Sequence, residues 1–353
     1  MPAGAPSSAP APGGFRLPFM KPKGPPQGAQ GAAAATAPAA SVPGVNTLMN
    51  FAEKLHLVGS QQKVDETASW NWQQTVEKMR GTGDAKLLTH YCVRLTKIER
   101  PPPEASQEVM GTVAICMLAY VEDADLVIAA CNLWSHLCEG YDRDANARKH
   151  GIASVGAIEA ILDGMKHHNS NREVLLAGLR ALSNACRGWN EYADWQKQQA
   201  SDFGAFEVCL PAIRTFAADT AVLHSALMAI VNVASGSGSS ATRRKRRAIS
   251  TGVIGAVAEV LDLHMANASV AHDCIVALGT IYSIEHSNLE DTPQSIKGAA
   301  AWKKLSNKFS AADLDKSKVA VIHSVLKCVQ AHPRDDALQM SAQRTIGFLM
   351  KRS

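Results

Sequence analysis

Aromatic residues are scarce, at 5% of 353. With alanine plentiful and Leu, Ile and Val well represented, this shortage points to helix-on-helix packing, where small side chains let helix axes approach closely. None of the eight cysteines stands in a CxxC pair: Cys92, Cys116, Cys131, Cys138, Cys186, Cys209, Cys274 and Cys328 all fall in apolar stretches of helical pattern. Buried free thiols in a reducing compartment are therefore expected. The N-terminus has no apolar core of the secretory kind. The longest apolar run, near Val109–Val121, is too short to span a bilayer, so no membrane partner is expected. A phosphate loop, a Gly-x-Ser-x-Gly turn and a paired metal motif are also missing. Gly236-Ser-Gly-Ser-Ser-Ala is not followed by Gly-Lys-Ser/Thr. Hence no catalytic residue, no metal ligand and no cofactor is assigned, and a cytoplasmic location is expected, with the nucleus as an alternative.

Acids are absent from residues 1–46, which hold Arg16, Lys21 and Lys23, so that this segment carries +3 of the formal +4. The remaining 33 bases and 32 acids leave +1, a balance that argues against a broad nucleic-acid face. Ten of the sixteen prolines also lie in residues 1–46, with abundant Ala, Gly and Ser, and this segment is expected to be disordered. Phe15-Arg16-Leu17-Pro18-Phe19-Met20 is an apolar patch within it. Residues 47–65 form a linker with a short helix possible at Thr47–Val58. Residues 66–353 are expected to form one helical domain, with an insertion at about 285–317.

That domain repeats. Leu126–His136, Val174–Asn184 and Val222–Asn232 start 48 residues apart (174 − 126; 222 − 174), and a fourth copy starts at Val270. Gly140, Gly188 and Gly236 keep this step, as do Gly156, Gly204 and Gly252, each of which precedes an apolar helix. Each unit thus reads as a short helix, a glycine turn, a second helix, a polar loop and a longer third helix. Degenerate copies flank the series at Leu87–Ile98 and Leu338–Leu349, as expected of capping units. One unit cannot hide its apolar face, whereas stacked neighbours bury a continuous core.

The segments Gly151–Leu162 and Arg246–Leu261, read as a first-to-second helix junction, and Glu173–Ala185, with Ala181-Leu182-Ser183-Asn184, resemble the armadillo-repeat family. HEAT repeats are the near alternative, and the glycine between first and second helices favours armadillo. The resemblance covers roughly residues 66–353 and implies an all-α, right-handed armadillo-like α-solenoid of about six repeats. It also implies a concave groove lined by third helices, where family asparagines hold an extended peptide. The matching positions are His136, Asn184, Asn232 and Thr280, with Phe348 in the last unit. One turn earlier, where import adaptors of the family carry tryptophan, stand Asn132, Arg180, Met228, Val276 and Arg344, so the tryptophan ladder is absent.

Arg180 and Arg187 flank Asn184 at steps of four and three, which would place the three on one helix face suited to a carboxylate or phosphate. Arg243, Arg244, Lys245, Arg246 and Arg247 form the densest charge; beside glycines and serines they read as an exposed basic loop, either a localisation signal or a solvated approach to the next helix. Asp142-Arg-Asp-Ala-Asn146 and Asp313-Leu-Asp-Lys-Ser317 begin like calcium loops but lack the sixth-place glycine and twelfth-place acid, and read as helix caps. His167-His168 read as a solvated helix end. Trp70, Trp72, Trp134, Trp189, Trp195 and Trp302 read as core and edge packing. The expected function is a non-enzymatic scaffold or adaptor for a protein or peptide segment. The alternatives are a nuclear-transport or nucleic-acid-associated factor using residues 243–247, and a regulatory subunit of a larger enzyme assembly.

Overall fold

The computed structural model describes residues 69–189, 191–283 and 316–350, all within the compact unit Pro43–Ser353. The expectations for residues 1–46 and 47–65, for Trp302, for Asp313 and for most of the 285–317 insertion lie outside the described residues. Those residues form fifteen helices and no strand. In chain order they are α1 Trp72–Arg80, α2 Ala85–Leu95, α3 Pro103–Ala119, α4 Ala124–Leu137, α5 Arg143–Ser154, α6 Ala157–His167, α7 Arg172–Ala185, α8 Glu191–Asp202, α9 Ala205–Thr215, α10 Thr220–Ala234, α11 Gly238–Ser250, α12 Val253–Leu263, α13 Ala268–Tyr282, α14 Lys316–Ala331 and α15 Asp336–Met350. Among the described residues, no helix is long and apolar enough to cross a membrane.

The helix starts follow the 48-residue step. Asp123, Asn171, Asp219 and Asn267 sit at the N-caps of α4, α7, α10 and α13, and each side chain accepts from backbone N–H groups of the first turn. Asp84 does the same for α2, and Asp335 accepts from the Leu338 N–H in α15. Such caps are worth about 1 kcal/mol each. The expected polar loop is thus a cap signal carried by every copy. Gly156, Gly204 and Gly252, with φ of 76°, 95° and 84°, make the left-handed turn before α6, α9 and α12 that a residue with a Cβ disfavours.

Helices of one kind pack on their counterparts in the next unit. The third helices contact one another in the order α2, α4, α7, α10, α13, α15; the second helices follow as α1, α3, α6, α9, α12, α14. The first helices run α5, α8, α11, and α3 also contacts α5. A single buried apolar cluster extends from Val76 to Leu349. Being covered by two neighbours and by its own second helix, α7 buries more than one face: Leu176, Ala177, Leu179 and Ala181 are buried along with Val174, Leu175, Gly178 and Leu182.

All eight cysteines are buried and free, as the sequence leads one to expect. Trp134 is fully buried in α4, whereas Trp189 is 85% exposed.

Gly178 of α7 packs against Met165 of α6. A Cβ there would lie 2.5 Å from the Met165 Cγ, which is not a free side-chain end. Gly178→Ala is therefore expected to lower stability by about 1 kcal/mol, overpacking outweighing the helix propensity gained. Gly255, exposed in α12 with open space around its Cβ position, should do the reverse: Gly255→Ala is expected to stabilise by about 0.5–1 kcal/mol. Denaturant midpoints of the two variants check the pair, and equal shifts would contradict it.

Candidate partner-binding surface

The third helices place the expected groove residues in register on successive elements, but several are already engaged. The Asn184 Nδ2 donates to the Ser135 carbonyl (3.1 Å) and hydroxyl (2.9 Å) of α4. The Asn232 Nδ2 repeats this one unit on, to the Ser183 carbonyl (3.1 Å) and hydroxyl (2.8 Å). Both carbonyls belong to a last helical turn, where acceptors lack intrahelical partners. The asparagines are thus rungs between neighbouring helices, and their donors are not spare for a guest backbone. Their Oδ1 atoms accept from no described residue.

His136 faces Arg100, whose Nε lies 3.2 Å from its Nε2 and whose Nη2 pairs with Glu139 at 2.8 Å. Burial, reinforced by the Arg100 charge, holds the His136 imidazole below its ordinary pKa. The Thr280 hydroxyl donates to the Val276 carbonyl of its own helix (2.8 Å). One turn back, Asn132, Arg180 and Arg344 are exposed, and Met228 and Val276 are half-buried. Arg180 makes no hydrogen bond or ion pair with a described residue.

Arg187 corrects the expectation of a shared arginine face. Helix α7 ends at Ala185 with Cys186 as C-cap, so Arg187 has left the helix. Its guanidinium lies 5.6 Å from the centre of the Tyr141 ring.

The basic run is the larger correction. Arg243, Arg244, Lys245, Arg246 and Arg247 lie within α11, not in a loop. Arg244 is 0% exposed and Lys245 4%. The Arg244 Nε donates to the Val233 carbonyl (2.8 Å), and its Nη2 donates to the Ser235 carbonyl (2.9 Å) and the Asp194 carboxylate (2.7 Å). The Lys245 Nζ donates to the Gly236 carbonyl (3.1 Å) and the Ser283 carbonyl (3.2 Å). Arg247 pairs with Glu207, and only Arg243 and Arg246 are exposed.

The reason is again the repeat. Two first helices send an Arg-Lys pair under the end of the preceding third helix, Arg148-Lys149 and Arg244-Lys245, and Lys197 keeps the lysine position at the same 48-residue step. The Arg148 Nε donates to the Leu137 carbonyl (2.8 Å), one unit before the Arg244–Val233 bond. The Lys149 Nζ donates to the Gly140 carbonyl (2.6 Å) and the Lys197 Nζ to the Gly188 carbonyl (2.7 Å). Cations suit these orphan carbonyls and the negative end of the helix dipole. Burial pushes the Lys197 ammonium down to about 8, and those of Lys149 and Lys245 downward too.

His168 is likewise not simply solvated. Its Nε2 is 2.7 Å from the Val121 carbonyl of the preceding unit. His264 and His332 make the same bond to Ala217 (2.6 Å) and Met265 (2.8 Å). Asp142 is the N-cap of α5, as expected of a capping residue, with the Ala145 N–H at 2.7 Å.

The sequence reading missed a polar set on the third helices. The His224 Nδ1 sits 2.6 Å from the carboxylate of Asp273, and the His272 Nε2 is 3.1 Å from the Ser341 hydroxyl. In sequence, His224 and His272 share a repeat position (272 − 224 = 48), and Asp273 follows His224 by 49. Among the described residues, no group of three or more His, Cys, Asp or Glu side chains is placed to hold a metal ion.

Comparison with protein-family models, curated proteins and solved structures found no match to this chain.

Proposed function

We propose that this chain is an armadillo-like α-solenoid that serves as a scaffold or adaptor, holding an extended protein segment along its third helices. The observation that carries the reading is Arg180, an exposed guanidinium with no described partner at the middle of the register Asn132, Arg180, Met228 and Val276. A guanidinium left open on a face of in-register helices is suited to a forked carboxylate or phosphate contact. Met228 and Val276, half-buried on the next two third helices, offer apolar ground beyond it. The Oδ1 atoms of Asn184 and Asn232, which accept from no described residue, would take the guest's backbone N–H groups. The proposed guest is therefore an extended segment with an acidic residue followed by apolar ones.

Titration of the full chain with acidic-apolar peptides tests this. Arg180→Glu is expected to weaken binding about tenfold or more, as removal of a charged anchor does, without moving the melting temperature. Equal affinity of both proteins for such peptides would end the proposal. The buried settings of Arg244 and Lys245 leave the nuclear-transport or nucleic-acid reading without a supporting observation.

A further inference from the structure

The row that holds Arg180 runs on to a second open guanidinium. Arg344 of α15 stands at the register of Arg180, Met228 and Val276, and it too is exposed and makes no hydrogen bond or ion pair with a described residue. Side-chain bonds fix this register across the four helices. The Asn232 amide ties α10 to α7, His224 meets Asp273 between α10 and α13, and the Thr345 hydroxyl donates to the Ile275 carbonyl (3.0 Å) between α13 and α15. Each of these bonds lies within about one turn of the row.

Charge around the row is one-sided. Apart from His224, α10 carries no ionisable side chain. On α7 the acid Glu173 pairs with Arg172, and on α13 Asp273 sits against His224. The acid of α15, Asp336, opens that helix eight residues before Arg344 (344 − 336). Among the described residues, then, neither guanidinium has a counter-charge beside it. Apolar ground fills the interval and its far end. Met228 and Val276 are half-buried between the two arginines. Met340 lies four residues before Arg344, hence on the same face of α15, and is 67% exposed.

Distance sets the length of the guest. Helices α7, α10, α13 and α15 pack in that order, and the two arginines are mounted on the first and the last of them. Packed helix axes stand about 8–10 Å apart, so three steps separate the two positions by about 24–30 Å. That exceeds the Debye length of about 8–10 Å at ordinary salt, so a single anion cannot serve both cations. Extended chain advances about 3.3 Å per residue and covers the interval in about seven to nine residues. We infer that the guest is an extended protein segment with two anionic residues about eight positions apart, one forked onto Arg180 and the other onto Arg344, with apolar side chains between them over Met228 and Val276. This rests on the third-helix row being the guest site, and adds to it a second anchor and a length.

The test is calorimetry on the full chain with three peptides of equal length and apolar-neutral filling. The first carries two glutamates about eight positions apart, the second has one of them replaced by glutamine, and the third has two glutamates about three apart. The first is expected to bind about tenfold tighter than the second, a gain that shrinks as salt rises. The third should show no such gain. Arg344→Gln should erase the gain while melting like the parent, since the side chain is exposed. The inference is overturned if the second glutamate adds nothing, if Arg344→Gln keeps the gain, or if the closely spaced pair gains as much, which would mean general attraction to charge. Self-association of the chain that Arg344→Gln abolishes also overturns it, because the face would then be covered by a second copy. The underlying reading has its own readout: the one-glutamate peptide measured in Arg344→Gln, where Arg180 alone remains, and in Arg180→Glu/Arg344→Gln. Equal affinity there removes the guest site altogether; a loss there with no gain from the second glutamate removes the second anchor only.

Discussion

Replacing Arg244 with methionine is expected to cost the fold about 3–4 kcal/mol, far more than any other single change in the basic run. Methionine keeps much of the volume but none of the donors. The carbonyls of Val233 and Ser235, which now receive the guanidinium, would be left without it at a covered helix end. Each orphaned buried acceptor costs roughly 1–3 kcal/mol. The Asp194 carboxylate loses its partner but remains 40% exposed, so water takes over part of that charge. Lys245→Met should cost less, about 2 kcal/mol, since burial already holds its ammonium below the ordinary lysine value and makes the charged form expensive. Arg243→Gln and Arg246→Gln alter exposed side chains and should stay within about 0.5 kcal/mol of the parent. Thermal melts of the four variants check the ranking, and it fails if Arg244→Met melts with Arg243→Gln. The same numbers bear on localisation experiments: replacing all five bases disturbs folding and recognition together. The double variant Arg243→Gln/Arg246→Gln changes only exposed charge.

What the sequence made legible was whatever recurs every 48 residues in backbone-determining residues. The glycine turns before α6, α9 and α12, the four third helices and the burial of all eight thiols follow from composition and period alone. Side-chain traffic between units was less legible, although its residues recur too. The Asp/Asn caps at 123, 171, 219 and 267, the histidines at 168 and 264, and the lysines at 149, 197 and 245 all lie on the same step. Each was open to detection by aligning polar positions as well as apolar ones. The basic run misled because charge density was read along the chain, whereas burial is decided one unit away. Beneath a helix end, two of five cations find carbonyls that repay part of their desolvation. Asn184 and Asn232 misled differently: family resemblance gives their position, but the serine one unit earlier decides whether their donors are free.

The second large effect is an alkaline collapse driven by those buried thiols. Burial raises Cys116, Cys131, Cys138, Cys186 and Cys209 from an ordinary 9.0 to about 12, and Cys328 to about 11. Cys92 and Cys274 are pushed up as well. A folded-state value above the unfolded one means that the native chain keeps protons which the unfolded chain releases. Stability is thus whole below pH 9 and is lost as pH rises from about 9 toward 12. Each thiol contributes at most about 1.4 kcal/mol per pH unit across that window, and all eight act in the same direction. Lys149, Lys197 and Lys245 run the opposite way, because their folded-state values are depressed and the unfolded chain holds those protons to higher pH. They are three groups against eight, and only Lys197 is lowered far, to about 8. A fold whose net stability is of the order of 5–15 kcal/mol cannot absorb the difference. Denaturant midpoints should be steady from pH 7 to 8.5 and fall steeply by pH 10, with unfolding near or above pH 10 in the absence of denaturant. In the same window the eight thiols should pass from inert to fully reactive toward a thiol reagent, as a thiolate must be reachable to react. The double variant Cys186→Ala/Cys209→Ala removes two of the eight titrating groups. It should therefore flatten the thiol-driven pH slope by about a quarter, whatever packing it loses at neutral pH. A midpoint that does not move between pH 8 and pH 10 would refute the account, since it requires the unfolded chain to be the better acid.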